Sequence, residues 1–391
     1  MPSDLEPEAV LSRLERSGLR GRGGGWFPAA AKWRAVAAEG GDAVVIGNGA
    51  EGEPGSIKDR HVMVRRADDV LAGLEIAARA LGTSETIVYV KGAFADAAAT
   101  LEARARSTGR AGLRVFRGED HYIAGEETAL LESLEGRRAW PRPKPPLPCA
   151  VGLHGRPTLV QNVETLARVG AAVDDPDAFR RDEHTFVSLW GRVRRPGVYE
   201  VRLGTPIARI IDEQGGGCLG RMRFVLPAGP SAPPLLAREA DVALDPDALR
   251  RAGSALGTAA VFVGDDSSCP LSVAASMAGF FERESCGQCP PCAVGASSLA
   301  RVLRAIEAGE GRARDLAVVR EVAGFMSDHG YCAHSRTAAS AVGGFLARMP
   351  EVVAAHVEAR RCPEPLPAAD PFGPGSPERR AIEAALEETR A

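Results

Sequence analysis

Three closely spaced cysteines, Cys286, Cys289 and Cys292, with Cys332 far downstream, restrict the possible folds of this chain more than any other feature. The spacing C-x₂-C-x₂-C lets three thiolates of one tight loop face a single inorganic cluster, and one remote cysteine completes the four ligands of a [4Fe–4S] cluster. Zinc is the main alternative metal, but zinc sites pair two C-x₂-C knuckles or one knuckle with histidine, and the sequence has no second knuckle. Ordinary buried cysteines are the third interpretation. The spacing favours the cluster.

The size and composition of the chain fit a globular protein of two or three domains. Its 391 residues are 45% hydrophobic and 25% charged, and no apolar run reaches membrane-spanning length. A net charge of -3 gives no reason to expect a nucleic-acid partner. The first residues lack the basic start and apolar stretch of a signal peptide, so we expect a cytoplasmic protein that meets a membrane only through partners. In that compartment clustered cysteines argue for metal rather than disulfides.

A glycine-rich segment near the start predicts a ligand site. Five glycines fall within residues 18–25, between predicted helices at 7–18 and 28–38. Such a backbone can approach a ligand closely and direct N–H groups at anionic oxygens, and Arg20 and Arg22 add positive charge. A flexible surface loop is the competing interpretation. The segment is not the dinucleotide fingerprint G-x-G-x-x-G, because a helix rather than a strand precedes it.

The pattern that follows alternates strands with helices, which is typical of a mostly parallel sheet covered by helices. The predicted strands are at 43–47, 86–91 and 112–117, and the predicted helices are at 67–82, 94–107 and 162–173. The first strand opens into a loop of glycine, asparagine and acidic residues at 48–60, where open α/β sheets place their ligands. A proline-rich arm at 137–157 should run over the surface.

The pattern changes after residue 182. Short strands around a helix at 205–214 suggest a small ubiquitin-like α+β module, and helical segments from residue 271 would surround the cysteines. We therefore predict an α/β and α+β multidomain chain, in which a Rossmann-like α/β domain precedes a β-grasp module and a helical bundle. The predicted boundaries are 1–182, 183–265, 266–360 and, for a flexible tail, 361–391.

Six motifs in a characteristic order resemble one known family. They are Gly-Leu-Arg-Gly-Arg-Gly-Gly (18–24), Glu-Gly-Glu-Pro-Gly-Ser-Ile-Lys-Asp-Arg (51–60), Gly-Glu-Glu-Thr-Ala-Leu (125–130), Lys-Pro-Pro (144–146), Asn-Val-Glu-Thr (162–165) and Glu-Ser-Cys-Gly-Gln-Cys (284–289). The family is the NADH-binding flavoprotein subunit of respiratory complex I, with its relatives in NAD-reducing hydrogenases and NAD-dependent formate dehydrogenases. The resemblance extends from Gly18 to about Val357.

The resemblance implies that the first domain binds FMN, that the middle module is a soluble-ligand-binding β-grasp domain, and that the bundle carries a [4Fe–4S] cluster on the four cysteines named above. The implied FMN-binding residues are Gly21, Arg22, Gly23, Gly24, Lys32, Asn48, Glu51, Tyr122, Gly125, Glu126, Gln161 and Asn162. For NADH it implies ring stacking by Phe27, ribose contacts by Glu53 and Glu127, and a phosphate contact by Lys144.

The implied function is electron input. Hydride would pass from NADH to FMN, and single electrons would pass through the cluster to a thioredoxin-like [2Fe–2S] subunit or a ferredoxin in a larger redox complex. No side chain is required as a catalytic acid or base, because the cofactors supply the chemistry.

The sequence departs from the family at several pocket positions. Trp26 and Ala50 replace a glycine and an acidic residue, Ala35 and Leu147 replace aromatic residues, Gln161 replaces an asparagine, and Ala124 replaces a cysteine. Two alternatives stay open: a flavin and iron–sulfur subunit with a non-nicotinamide donor, and a flavin-free iron–sulfur scaffold.

The remaining cysteines and one histidine receive simpler predictions. Cys149, Cys218, Cys269 and Cys362 lack ligand-like spacing and are predicted to be free thiols, although Cys362 is the other candidate for the fourth cluster ligand. His334 is predicted to be exposed to solvent.

Overall fold

A computed structural model of the chain describes residues 5–109, 112–312, 314–363 and 369–388. The chain divides into two compact units: the first comprises Met1–Gly52 and Ile57–Phe186, and the second comprises Glu53–Ser56 and Val187–Ala391. The finer division into domains stays a prediction. Within the described ranges, no helix combines the length and apolar character that crossing a membrane requires.

The first unit is a parallel sheet covered by helices. Its strands β1 (Val44–Gly49), β2 (Thr86–Lys91), β3 (Leu113–Gly118) and β4 (Thr158–Asn162) lie in the order β3-β2-β1-β4, and every pair is parallel. Its helices are α1 (Pro7–Ser17), α2 (Ala29–Glu39), α3 (Lys58–Arg65), α4 (Ala67–Ala80), α5 (Ala95–Ser107), α6 (Glu127–Leu134), α7 (Val163–Asp174) and α8 (Pro176–Arg181), with 3₁₀ turns at Tyr122–Gly125 and Leu153–Gly155.

The buried strands of this sheet explain the parallel arrangement. Val44, Val45 and Ile46 are fully buried, as expected for a central strand covered on both faces. The prediction of a mostly parallel sheet is confirmed. Two elements differ from the prediction: β4 was not expected, and the loop after β1 ends where α3 begins at Lys58, within the segment predicted as loop.

The second unit begins with a mixed sheet. β5 (His184–Gly191), β6 (Gly197–Arg202), β7 (Met222–Leu226), β8 (Leu235–Leu236) and β9 (Ala260–Asp265) lie in the order β6-β5-β9-β7-β8. β5 and β9 are parallel, while β7 is antiparallel to both β8 and β9. The short helices α9 (Ile207–Glu213) and α10 (Pro246–Arg251) and 3₁₀ turns at Gly229–Ser231 and Ala237–Glu239 join these strands.

Helices form the rest of the second unit. They are α11 (Pro270–Arg283), α12 (Pro290–Glu307), α13 (Asp315–His329), α14 (Ala333–Arg348), α15 (Pro350–Ala359) and α16 (Pro377–Glu388).

Much of the tail that the sequence predicted to be flexible packs into this unit. Phe372 is fully buried, and its ring lies 5.4 Å from that of Phe262 and 5.7 Å from that of Trp190. Ile382 and Leu386 of the final helix are also buried, so the tail is packed at more than one point between residues 369 and 388. Residues 364–368 and 389–391 of the predicted tail lie outside the described residues.

Candidate functional site

A cavity of about 280 Å³ lies at the carboxyl ends of β1 and β4. The strand order reverses at this point, because β2 and β3 lie on one side of β1 and β4 lies on the other. Open α/β sheets bind their ligands at such a switch point. The register pairs Gly47 with Gln161 and Asn48 with Asn162, so the two strand ends bring three side-chain amides to the cavity.

A glycine loop, residues 21–27, forms one wall of this pocket. The N–H of Gly21 donates to the carbonyl of Phe27 at 2.8 Å and closes the loop into a tight turn. A Cβ atom added to Gly23 would lie 3.3 Å from the Cβ of Asn162, so the loop passes close to the end of β4. Without side chains at Gly21 and Gly23, a ligand in the pocket can approach the backbone of this loop closely.

Trp26 occupies a position in this loop whose backbone favours glycine. Its φ angle is 51°, in the left-handed region that costs a non-glycine residue about 1–2 kcal/mol. The indole is buried, lines the pocket, and lies 4.3 Å from the guanidinium carbon of Arg22. Arg22 is itself buried and pairs with Glu183 and, at 3.9 Å, with Glu164. The Arg22 guanidinium therefore forms ion pairs with carboxylates of the protein itself.

The three amides at the strand ends are fixed by hydrogen bonds. Asn48 Nδ2 donates to the Gly125 carbonyl at 2.9 Å, and Gln161 Oε1 accepts from the Trp33 indole at 3.2 Å. Asn162 Oδ1 caps α7 by accepting from the Glu164 N–H at 3.0 Å. These bonds orient the amides before any ligand binds.

Four charged side chains face one another across the pocket. Lys32 Nζ lies 2.8 Å from a Glu127 oxygen, while Lys144 Nζ lies 2.7 Å from Glu126 and 2.8 Å from Glu127. Burial alone would raise the pKa of Glu127, but the two lysines outweigh it and lower that pKa to about 2. Glu126 also caps α6, accepting from the backbone N–H groups of the next turn. Glu127 is therefore ionised throughout the physiological pH range.

The N-terminus of α2 also faces this pocket. Pro28 precedes the helix and supplies no side-chain cap, and the N–H of Ala29 donates to the Leu19 carbonyl at 2.9 Å, so an anion would meet the next N–H groups of the first turn. Lys32 lies in the first turn of the same helix and lines the pocket. This combination of helix terminus and lysine favours a phosphate group.

A buried charge network supports the pocket from behind. Lys58 is fully buried, and its Nζ lies 2.6 Å from Asp59 and 2.9 Å from Glu164. Burial raises the pKa of Asp59, with Glu51 and Glu164 adding to the effect and Lys58 opposing it. Burial would also raise the pKa of Glu164, but the cations Lys58, Arg168 and Arg22 hold it at about 2. Asn162 Nδ2 donates to Asp59 at 2.7 Å, which connects this network to the pocket wall.

Most residues that the family resemblance implied for FMN and NADH line this one pocket. They are Gly21, Gly23, Phe27, Lys32, Asn48, Gly125, Glu126, Glu127, Lys144, Gln161 and Asn162. Gly25, Trp26 and Val160 also line it and were not among the expected contacts. Lys58 and Glu164 lay within the family motifs but had no assigned role; their burial is the property that the sequence pattern did not reveal.

Five implied residues do not line the pocket. They are Arg22, Gly24, Glu51, Glu53 and Tyr122. Glu51 is buried, and its carboxylate accepts from the N–H groups of Asp59 and Arg60 at 3.1 Å, which caps the start of α3. Glu53 belongs to the second unit, where it accepts from the Ser231 hydroxyl at 2.7 Å.

The pocket residues fit FMN. Glycines at 21 and 23 leave room for a flat ring system and its polar chain, and the three amides supply donors and acceptors for both. Lys32 and the uncapped start of α2 suit a phosphate. Phe27 has 59% of its surface exposed and offers a ring face at the pocket mouth.

The predicted cluster ligands come together at two helix N-termini of the second unit. Cys289 immediately precedes α12 and Cys292 lies in its first turn, while Cys332 immediately precedes α14. Burial raises the pKa of the Cys292 thiol to about 11, and the proximity of Cys289, Cys332 and Cys286 adds to the shift. A helix N-terminus favours a thiolate. Four cysteines so placed fit the donor set of a [4Fe–4S] cluster.

One of the simpler predictions is wrong, and another is confirmed with an addition. His334 is not exposed: it is buried, its Nε2–H donates to the Phe281 carbonyl at 3.0 Å, and its ring meets that of Phe281 edge-on. Cys269 and Cys362 are free thiols, but they are not isolated, because both lie beside His356.

Comparisons with protein families match three parts of the chain. Residues 14–171 match the Nuo51 FMN-binding domain, and residues 272–356 match the NADH-ubiquinone oxidoreductase-F iron-sulfur binding region. Residues 186–229 match the SLBB domain. The first match contains the pocket, and the second contains the four cysteines.

Relatives match almost the whole chain. The F 2 subunit of the NADH-quinone oxidoreductase of Rhizobium meliloti is 39% identical over 384 residues, which cover 92% of this chain and 91% of that protein. The corresponding F subunit of Streptomyces coelicolor is 35% identical, and the match covers 92% of this chain and 85% of that protein. Among solved structures, the NAD⁺-reducing [NiFe]-hydrogenase in its H₂-reduced state superposes with a TM-score of 0.84 at 31% identity, over 100% of this chain and 67% of that one.

Proposed function

This chain belongs to the family of NADH-quinone oxidoreductase F subunits, and we propose that it takes electrons from NADH and passes them to an iron–sulfur partner within a larger redox complex. It is an oxidoreductase component with an FMN-binding domain, an SLBB domain and a [4Fe–4S] region. One observation carries the proposal: the glycine loop, three amides and the lysine–glutamate pairs converge at the point where the strand order reverses.

We assign FMN to this pocket. The backbone at Gly21 and Gly23 would approach the flavin, the amides of Asn48, Gln161 and Asn162 would bind its polar edges, and Lys32 would bind the phosphate. Bound FMN supplies the exchange between two-electron and one-electron chemistry. The protein's part is to hold these donors in fixed orientations, which the Asn48–Gly125 and Trp33–Gln161 hydrogen bonds achieve.

NADH would bind at the mouth of the same pocket. The exposed ring of Phe27 is suited to stacking against a nucleotide ring. Glu127, kept ionised by its two lysines, would accept from a ribose hydroxyl and repel the extra phosphate of NADPH. Lys144, which lines the pocket, would contact a phosphate of the substrate. The assignment of Glu53 as a second ribose contact rests on the family resemblance alone.

Electrons would leave from the cysteine site of the second unit. Cys286 is half-buried and its neighbours Gly287 and Gln288 are exposed, so the site lies near the surface. Tyr331 is 61% exposed beside Cys332, and Val294 is 66% exposed two residues beyond Cys292. These apolar side chains suit docking of a thioredoxin-like [2Fe–2S] subunit or a ferredoxin, and membrane association would come through such partners.

A charge-removing variant tests the flavin assignment. Lys32→Met should weaken FMN binding about 10–100-fold, the range expected for losing a hydrogen bond from a charged group. Arg34→Met is the matched control on the same helix, because Arg34 pairs with Glu8 and Glu15 and does not line the pocket. Flavin fluorescence quenching during reconstitution measures both dissociation constants. Equal FMN affinity in the two variants would show that the phosphate lies elsewhere.

A further inference from the structure

A second group of metal-ligating side chains lies in the second unit, apart from the cysteine run. The ligand atoms of Cys269, His356 and Cys362 all lie within 4.8 Å of one another. Cys269 and His356 are each 1% exposed, and Cys362 is half-buried. Cys269 lies 87 residues before His356, so the fold brings it to the other two, whereas Cys362 follows His356 closely in the sequence.

The histidine of this group is oriented as a metal ligand. His356 Nδ1 lies 2.7 Å from the Val352 carbonyl, to which it donates its proton. This bond leaves Nε2 with its lone pair, and Nε2 lies 3.3 Å from the Cys269 sulfur. Metal-binding histidines have this arrangement, in which a backbone carbonyl holds the proton-bearing nitrogen and fixes the tautomer.

The cysteine at the centre of the group is supported by backbone donors. Cys269 immediately precedes α11, and the backbone N–H groups of Leu271 and Ser272 donate to its sulfur. Burial raises the pKa of this thiol, and the two N–H donors oppose the rise. A bound cation would add to their effect, because a coordinating thiol loses its proton to the metal. The side chain therefore has a fixed orientation toward His356 and Cys362.

The distances fit a single tetrahedral ion. Zinc bonds of about 2.3 Å to sulfur and about 2.0–2.1 Å to nitrogen place a ligating sulfur and nitrogen roughly 3.6 Å apart. The observed separation of 3.3 Å between Cys269 Sγ and His356 Nε2 is close to this value. Two thiolates and one imidazole form a donor set that suits zinc.

We propose that Cys269, His356 and Cys362 bind one zinc ion that fastens the end of α15 and the residues after it to the start of α11. A water molecule or another donor would complete the fourth position. The site is separate from the cysteine run, because α11 has 14 residues and spans about 21 Å between Cys269 and the segment that leads into Cys286. Zinc is redox-inactive, so the ion stabilises the helical bundle and carries no electrons.

Metal analysis of the full chain tests this site. After incubation with Zn²⁺ and removal of excess metal, the protein should retain about one zinc per chain in addition to its cluster iron. Cys362→Ser and His356→Gln should each weaken zinc binding about 100-fold or more without changing the iron content. X-ray absorption at the zinc edge should show two sulfur neighbours at about 2.3 Å and one nitrogen at about 2.0–2.1 Å.

Three further variants distinguish zinc binding at this site from zinc binding at the cluster cysteines or at another thiol. Cys218→Ser, a half-buried thiol outside both groups, should keep zinc and iron, while Cys332→Ser should lose iron and keep zinc. Cys362→His replaces the thiolate with an imidazole nitrogen, which is also a zinc ligand, so this variant should still bind zinc. Wild-type protein that retains no zinc, or Cys362→Ser and His356→Gln proteins that retain it fully, would overturn the proposal. A Cys269–Cys362 disulfide in anaerobically purified protein would do the same.

Discussion

The pocket of the first unit and the cysteine loop of the second hold their functional groups in different ways. In the pocket, Lys32 and Lys144 bind their carboxylates at 2.7–2.8 Å. In the cysteine loop, the sulfurs make longer contacts within their own loop: Ser285 Oγ lies 3.3 Å from Cys292 Sγ, and Gln288 Nε2 lies 3.6 Å from Cys286 Sγ.

This contrast indicates which site depends on its cofactor for shape. Ion pairs and hydrogen bonds between distant segments set the pocket geometry, so the protein itself preorganises the flavin site. The described sulfur contacts of Cys286 and Cys292 stay within the cysteine loop, and metal–thiolate bonds would supply free energy that fixes its shape. The two sites should therefore respond independently to mutation, and substitutions in each unit can test that independence.

The largest effect should follow removal of a cluster ligand. Cys289→Ser should reduce the iron content from about four per chain to near zero, since a [4Fe–4S] cluster needs all of its cysteine ligands. FMN binding should remain within about twofold of wild type, because the pocket is held by its own ion pairs. Iron analysis and flavin titration measure the two outcomes. Cys149→Ser, a half-buried thiol of the first unit, is the control that should change neither.

Loss of iron accompanied by loss of FMN binding in Cys289→Ser would contradict the independence of the two sites. That result would mean that the pocket takes its shape from the cluster rather than from its own contacts.

A buried charge of the first unit should have the next largest effect. Lys58→Met leaves Asp59 and Glu164 buried without their lysine, which should lower the free energy of unfolding by about 3–5 kcal/mol. Denaturant unfolding, monitored through the release of flavin, measures this change in free energy. The iron content should stay constant. Arg104→Met, which removes a half-exposed ion pair with Asp68, is the control and should have no resolvable effect. A Lys58→Met protein as stable as this control would contradict the role assigned to the network.

Acid should destabilise the first unit through Glu164. The folded protein holds the pKa of Glu164 at about 2, below its ordinary value of 4.5. The stabilisation is therefore complete above about pH 4.5 and is lost as the pH falls toward 2, a change on the order of 3 kcal/mol. Unfolding of the first unit at several pH values measures this dependence. Glu164→Gln should show a shallower dependence, and an unchanged slope in that variant would contradict the assignment.

The smallest effect should come from Trp26, the non-glycine residue of the glycine loop that has a positive φ angle. Trp26→Gly relieves about 1–2 kcal/mol of left-handed backbone strain but removes a buried indole, so the free energy of unfolding should fall by about 1–3 kcal/mol. FMN should bind to this variant at least as tightly as to the wild type, because removing the indole leaves more space in the pocket. A tenfold loss of FMN affinity in this variant would show that the indole contacts the flavin.

The sequence predicted the cysteine site better than it predicted the pocket. C-x₂-C-x₂-C is a local pattern, so spacing alone was enough to predict three of the cluster ligands. The pocket combines segments from residue 21 to residue 162, and only the family resemblance gathered them. The glycine-rich segment by itself predicted a ligand site, but it did not identify the ligand.

Burial and long-range contacts account for most of what the sequence did not reveal. β4 follows a proline-rich arm and was not predicted as a strand, although it forms one side of the pocket. His334 was wrongly predicted to be exposed because nothing local signals its contact with Phe281. Cys269 and His356 are 87 residues apart, so no spacing rule could have paired them.

An anaerobic absorbance titration of the purified full chain with NADH, then NADPH and dithionite on separate samples, is the decisive test of the proposed electron input. We expect NADH alone to bleach both the flavin band and the iron–sulfur shoulder, and NADPH to do so far more slowly. A protein that contains flavin and iron but is bleached only by dithionite would contradict NADH as the electron donor.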